Sequence, residues 1–179
     1  MREVETLEML REVNHPHLIR AIAYYTRNDK HFLLFPWATL GNLRDFWKKD
    51  PPKLTPEYLE WVFRQLCGLT SAIGKLHHAK ENSYWRHGDM KPENILCFEG
   101  AGTSEYALKD PCTLVISDLG LTRVHDRETE ARKYATRTQN GTIMYEPPEA
   151  EALLNKPRSR RYDIWSIGCI YLVHWLHLS

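Results

Sequence analysis

The 179-residue sequence lacks an excess of either charge, a closely spaced cysteine pair, and an apolar run long enough to span a bilayer. Lysine and arginine total 24 against 23 aspartates and glutamates, so the formal charge of +1 excludes a global field that would draw in nucleic acid or anionic lipid. Cys67, Cys97, Cys112 and Cys169 are scattered with no C-x-x-C unit, and no signal-peptide pattern opens the chain. Free, mostly buried thiols and an intracellular place, cytoplasmic or nuclear, are therefore expected. The nine histidines, His77-His78 and His15-Pro16-His17 among them, lack cysteine or carboxylate partners at ligand spacing, so no structural zinc is expected. Ile164 to Leu178 is apolar but interrupted by Ser166, His174 and His177. It falls short of the roughly 20 residues of a membrane span and reads as a buried helix. No period and no low-complexity tract is visible. What remains, 42% hydrophobic and 26% charged residues, is ordinary globular composition with enough chain for one core.

Patterning sets the elements. Val4, Leu7, Leu10 and Val13 recur on one helical face that Asn14-His15-Pro16 ends. Leu18 to Tyr25 and His31 to Trp37, joined by a polar stretch from Thr26 to Lys30, read as two strands and a hairpin turn. Thr55-Pro56-Glu57 supplies a cap, a first-turn proline and an early acid. Leu59, Val62, Leu66, Leu69, Ile73 and Leu76 then continue as one apolar stripe, which predicts a long helix. Ile95 to Phe98 and Leu114 to Ser117 are short β-prone runs, and the long polar segment after Gly120 has no periodicity. From Tyr162 onward apolar residues fall on nearly every side, as in a helix buried within a larger body.

Three segments carry chemistry. Arg86-His87-Gly88-Asp89-Met90-Lys91-Pro92-Glu93-Asn94 sets a carboxylate, an ammonium and an amide at short fixed offsets before the Ile95 strand. Asp118-Leu119-Gly120 follows the apolar Leu114-Val115-Ile116, and Gly141 to Glu149 comes next. In this order they resemble the eukaryotic protein kinase family, serine/threonine type. His87, Asp89 and Asn94 match its H-R-D-L-x-x-x-N signature, with Gly88 and Met90 departing from it. Asp118-Leu119-Gly120 resembles D-F-G, and Pro147-Pro148-Glu149 resembles A-P-E. The resemblance implies that Asp89 orients the acceptor hydroxyl and takes its proton, Lys91 offsets charge on the γ-phosphate, and Asn94 and Asp118 ligate Mg²⁺. It further implies that Thr142 supports Asp89 and Lys91, that Glu149 closes the substrate-docking segment, and that Asp163 holds the catalytic-loop backbone as a support rather than a catalyst.

Upstream, Phe32 to Ala38 resembles the strand and hinge beside the adenine pocket, with Phe35 as gatekeeper and the backbones of Pro36 and Ala38 facing adenine. Pro36 lacks an N–H but keeps its carbonyl, while Ala38 can donate and accept. The segment from Arg2 to Pro16 resembles the regulatory helix whose glutamate pairs with the ATP-binding lysine; Glu3 fits its apolar pattern, with Glu5 and Glu8 as alternatives. The family's G-x-G-x-x-G-x-V loop and V-A-I-K strand have no counterpart among these residues. Gly88 stands where most members carry an arginine that binds a phosphorylated loop residue.

The expected fold is accordingly α+β, a bilobal kinase-like arrangement. Residues 1–38 would be a remnant of the small lobe (helix plus two strands) and hinge, and residues 39–179 an incomplete, mainly helical large lobe truncated within its central helix. The function implied is transfer of the ATP γ-phosphate to serine or threonine hydroxyls of protein substrates, with ATP and Mg²⁺ as cofactors, the activity of this particular chain being left open. No nucleic acid and no membrane span is expected, and a regulatory protein partner is compatible with the pattern. The rival reading is an inactive pseudokinase or protein-interaction module.

Overall fold

The structure, a computed structural model, describes residues 13–28, 30–49, 53–79, 85–99, 110–119, 143–152 and 159–178. The helix expected over residues 4–13 lies, but for Val13, outside them, as does the polar segment 120–142.

The long helix, here α2, spans Pro56–His77 after a shorter α1, Leu43–Trp47. The Thr55 side chain accepts the Tyr58 N–H at 3.2 Å, satisfying one of the donors that a helix start leaves open. Its buried stripe, Trp61, Val62, Leu69, Ala72, Ile73 and Leu76, is at most 1% exposed and forms the centre of the core. Against it lies a hairpin of β3 (Ile95–Phe98) and β4 (Thr113–Ile116), antiparallel with Ile95 opposite Ile116 and Phe98 opposite Thr113. Hydrogen bonds fix helix to hairpin: Trp61 Nε1 donates to the Cys112 carbonyl at 2.7 Å, and Gln65 Oε1 accepts the Leu114 N–H at 2.9 Å. These satisfy polar groups that burial would otherwise leave without water.

Three of the four sequence-derived strand ranges are corrected, that of β4 by one residue, from 114–117 to Thr113–Ile116. The first strand, β1, is Ala23–Arg27 and pairs antiparallel with β2, Lys30–Leu34, so both reach into the stretch expected to be turn. Asn28, with φ 49°, makes the tight reversal, a conformation asparagine tolerates better than most residues. Leu18 and Ile19 do not belong to that strand. They run alongside β4, with Ile19 N donating to Ile116 O at 2.8 Å and Ile116 N to His17 O at 2.9 Å, and bury their side chains in the core. The expected second strand ends at Leu34, leaving Phe35 to Trp37 without strand pairing.

His17 is the peg of this junction. Its Nδ1 donates to the Leu114 carbonyl at 2.7 Å, and its ring lies so close to α2 that a Cβ on Gly68 would come within 2.1 Å of it. Glycine at 68 is thus what lets the segment approach the helix.

A short α3 (Glu149–Ala152) precedes α4 (Arg161–Leu178), which buries Tyr162, Asp163, Ser166, Ile167, Ile170, His174 and Leu178. Ile170 is fully buried, whereas Trp165 and Trp175 are about half exposed. Trp47 Nε1 donates to His174 Nδ1 at 2.7 Å, tying α1 to α4. Among the described residues no helix is long and apolar enough to cross a membrane. All four cysteines are free; Cys97 and Cys112 are buried, Cys169 is half-buried and Cys67 is exposed.

Candidate active site

The loop from Arg86 to Lys91 crosses the space between α4 and the β3–β4 hairpin, and the first turn of α4 grips it. Asp163, 1% exposed, accepts the backbone N–H of His87 and that of Gly88, each at 2.8 Å, and the Nε2–H of His77 at 2.8 Å. His77 is held in turn, since Arg160 donates to its carbonyl at 2.7 Å. Burial pushes the Asp163 carboxyl pKa up, but the bonds from His77, Gly88 and His87 outweigh it and leave the group below the usual carboxylate value. Asp163 is therefore a structural anion. Gly88 has φ 80°, a left-handed conformation that bends the backbone so that both neighbouring N–H groups reach one carboxylate.

His87 has its proton position set by its neighbours. Nε2 faces the Ser117 carbonyl at 2.7 Å and must donate, while Nδ1 accepts the Asp89 N–H at 3.3 Å. Fully buried, the ring links the loop to the residue just before Asp118. A second link runs from Ser117, whose N–H and Oγ both donate to the Asn94 carbonyl, at 2.8 and 3.0 Å.

Three of the residues singled out in the sequence meet at one point. Lys91 Nζ donates to Asp89 Oδ2 at 2.7 Å, and Asn94 Nδ2 donates to the same oxygen at 3.2 Å and to the Asp89 carbonyl at 2.8 Å. Asn94 sits in the 3-10 turn Pro92–Asn94, which proline at its first position favours. Asp89 Oδ1 and Asn94 Oδ1 receive no hydrogen bond among the described residues, so each presents a free oxygen. Asp118 follows Ser117 with φ 57° and its side chain exposed, while Leu119 turns into the core. The site can thus offer a carboxylate oxygen as a base, a lysine cation, and two hard oxygens, from Asn94 and Asp118, to a divalent cation.

The other residues lie further out. Phe35 is 38% exposed rather than packed in a strand, Pro36 and Ala38 are half-buried, and the Ala38 carbonyl accepts the Gly41 N–H at 3.1 Å. That carbonyl keeps a second lone pair. Glu149 begins α3 and is exposed. Glu3 and Thr142 lie outside the described residues.

Sequence reasoning missed the roles of His77 and Arg44. The latter's Nε donates to Glu93 at 2.9 Å and its Nη2 to the Tyr145 hydroxyl at 3.2 Å. Tyr145, from the 3-10 turn Ile143–Tyr145, lines a small cleft with Gly88, Asp89, Met90, Glu146 and Pro147. A helical i, i+4 spacing signals neither pairing, because the partners lie far apart in sequence.

Comparison with known proteins matches residues 1–176 to the protein kinase domain. The chain is 30% identical to a calcium/calmodulin-dependent protein kinase of Metarhizium anisopliae over 92% of its own length and 37% of that protein's. It is 32% identical to the serine/threonine-protein kinase chk-1 of Caenorhabditis briggsae over 92% of its length and 29% of the relative's. With serine/threonine-protein kinase tousled-like 2 of Xenopus tropicalis the identity is 26%, over 90% and 22%. The chain spans between 22% and 37% of the length of these relatives. With its loop, its hairpin and nearly its whole length matched, the chain belongs to the protein kinase family.

Proposed function

We propose that this chain is part of the catalytic domain of an ATP-dependent protein serine/threonine kinase, with residues 1–38 belonging to the small lobe and hinge and the rest to the large lobe. The observation that carries the reading is the convergence of Lys91 and Asn94 on a single oxygen of Asp89 while its other oxygen stays open. A carboxylate with one oxygen fixed and one open is suited to receive a proton from an incoming hydroxyl. The acceptor oxygen would bond to the γ-phosphorus as the bond between that phosphorus and the β,γ-bridging oxygen breaks, releasing ADP, and the hydroxyl proton would pass to Asp89 Oδ1.

Phosphoryl transfer asks mainly for positioning and charge stabilisation. Lys91, 20% exposed at its side chain and paired with Asp89, would offset charge on the transferring group. The donor set suits Mg²⁺: the Asn94 amide has both described bonds on its nitrogen, leaving its oxygen for a hard cation, and the Asp118 carboxylate is exposed. Such a cation would neutralise the phosphates when bound. Asp163 and His87 keep the loop in register for this. Adenine would lie against the backbone of Pro36 and Ala38 beside Phe35. An ATP-consuming enzyme of this kind fits an intracellular place.

The test is direct. The full chain is titrated with Mg-ATP in a thermal-shift assay and given labelled ATP with a mixture of serine and threonine peptides. A saturable upward shift and label on peptide hydroxyls are expected. No shift together with no transfer would sink the proposal.

A further inference from the structure

Arg44 is a cation at the edge of the cleft that holds Asp89, and both hydrogen bonds from its guanidinium run to residues bordering the loop and the cleft. Glu93 lies four residues beyond Asp89 in the turn that carries Asn94 and takes the Arg44 Nε–H at 2.9 Å. Tyr145 walls the cleft and takes the Nη2–H through its hydroxyl at 3.2 Å. The guanidinium also lies 5.9 Å from the centre of the Tyr145 ring and 6.0 Å from that of Trp47, a distance at which aromatic faces attract cations. The side chains of Arg44 and Glu93 are 30% and 40% exposed, so peptide docking in the cleft can feel either charge.

We propose that Arg44 is a specificity-determining residue: by pairing with Glu93 it keeps that carboxylate from recruiting lysine or arginine beside the acceptor hydroxyl, so the cleft takes peptides without a requirement for basic flanks. The inference rests on the reading of the chain as a peptide-modifying kinase and names its substrate class. The physics is local charge balance. The pair sums to zero; removing Arg44 leaves one negative charge beside the cleft, and removing the charge of Glu93 leaves one positive. Glu146 also lines the cleft and stays constant across these changes.

The experiment is a double-mutant cycle on the full chain with Arg44→Ala, Glu93→Gln and the two combined. It uses two serine peptides that differ only in basic or acidic flanks. Their kcat/KM ratio is measured, and so is their binding ratio by fluorescence anisotropy with the serine replaced by alanine, which needs no turnover. Arg44→Ala is expected to raise the basic-to-acidic ratio about fivefold, and Glu93→Gln to lower it by a similar factor, as for an exposed charge pair. The double variant should return close to the starting ratio. A bracing role alone, in which Arg44 only holds Tyr145 in place, would weaken both peptides equally and would not be reversed by Glu93→Gln. Tyr145→Phe, which keeps the ion pair, should leave the ratio unchanged.

Ratios within about twofold of one another across all four proteins overturn the proposal, as does failure of Arg44→Ala to bind the basic peptide. If no variant transfers phosphate but the anisotropy ratios move as stated, the charge inference stands and the assigned reaction fails. If phosphate is transferred at unchanged ratios, the reverse holds.

Discussion

The carboxylate of Asp163 accepts the backbone N–H of His87 at 2.8 Å, joining two residues 76 positions apart. With the bonds from Gly88 and His77, that one buried side chain decides where the Asp89 loop lies. Removing it would leave two backbone donors and a histidine N–H without partners in the core. Asp163→Ala should therefore cost about 3–5 kcal/mol in unfolding free energy by urea titration, the range for breaking a buried charged cluster. Asp163→Asn keeps one acceptor oxygen and should cost clearly less. Equal stability of Asp163→Ala and wild type would show that the loop is held by something else.

Asp89→Asn tests the base assignment. The substitution keeps shape and one oxygen but removes the charge that a departing hydroxyl proton needs. Turnover of an unphosphorylated serine peptide should fall about 10²–10⁴-fold. Stability should change less than in Asp163→Ala, because the amide keeps an acceptor oxygen for Lys91 and Asn94. Retained turnover would remove Asp89 from the role proposed for it.

Much of this arrangement was legible in local sequence, and the limits have a physical cause. Thr55 and Pro56 marked the start of α2 because capping is a matter of adjacent residues, and the Thr55–Tyr58 bond bears that out. The offsets within Asp89 to Asn94 were readable for the same reason. Leu18 was assigned to the wrong strand because β-prone residues do not declare their partner, and its pairing with Ile116 spans nearly a hundred positions. Phe35 falls within the expected second strand, yet strand pairing stops at Leu34 and leaves it 38% exposed. Arg44 and Tyr145 lie 101 positions apart, and only the folded chain brings them into contact.

The contact between Gly68 and His17 gives a packing prediction. A Cβ at position 68 would sit 2.1 Å from the His17 ring, far inside van der Waals contact. That ring is held by its bond to the Leu114 carbonyl and cannot yield cheaply. Gly68→Ala should destabilise the chain by about 1–3 kcal/mol despite alanine's higher helix propensity. Combining it with His17→Ala, which vacates the space, should cost less than the sum of the two single changes. Additive penalties in thermal or urea unfolding would mean that the two sites do not touch.

Acid stability should depend on His174. Burial, with a smaller contribution from His177, lowers its pKa from 6.5 to about 4, and its Nδ1 accepts the Trp47 N–H, which favours the neutral ring. In the unfolded chain the group returns to its ordinary value, near 6.5. Between these two values the unfolded state binds more protons, so stability present above about pH 6.5 is lost as pH falls toward 4. The full loss from this group amounts to about 3 kcal/mol, and below its folded pKa it adds nothing further. His15 and His17, whose pKa values burial also lowers, act in the same direction. His174→Asn keeps an acceptor for Trp47 but does not titrate. Its urea-unfolding free energy should fall less steeply between pH 6.5 and 4 than that of the wild type, and parallel curves would place the acid sensitivity elsewhere.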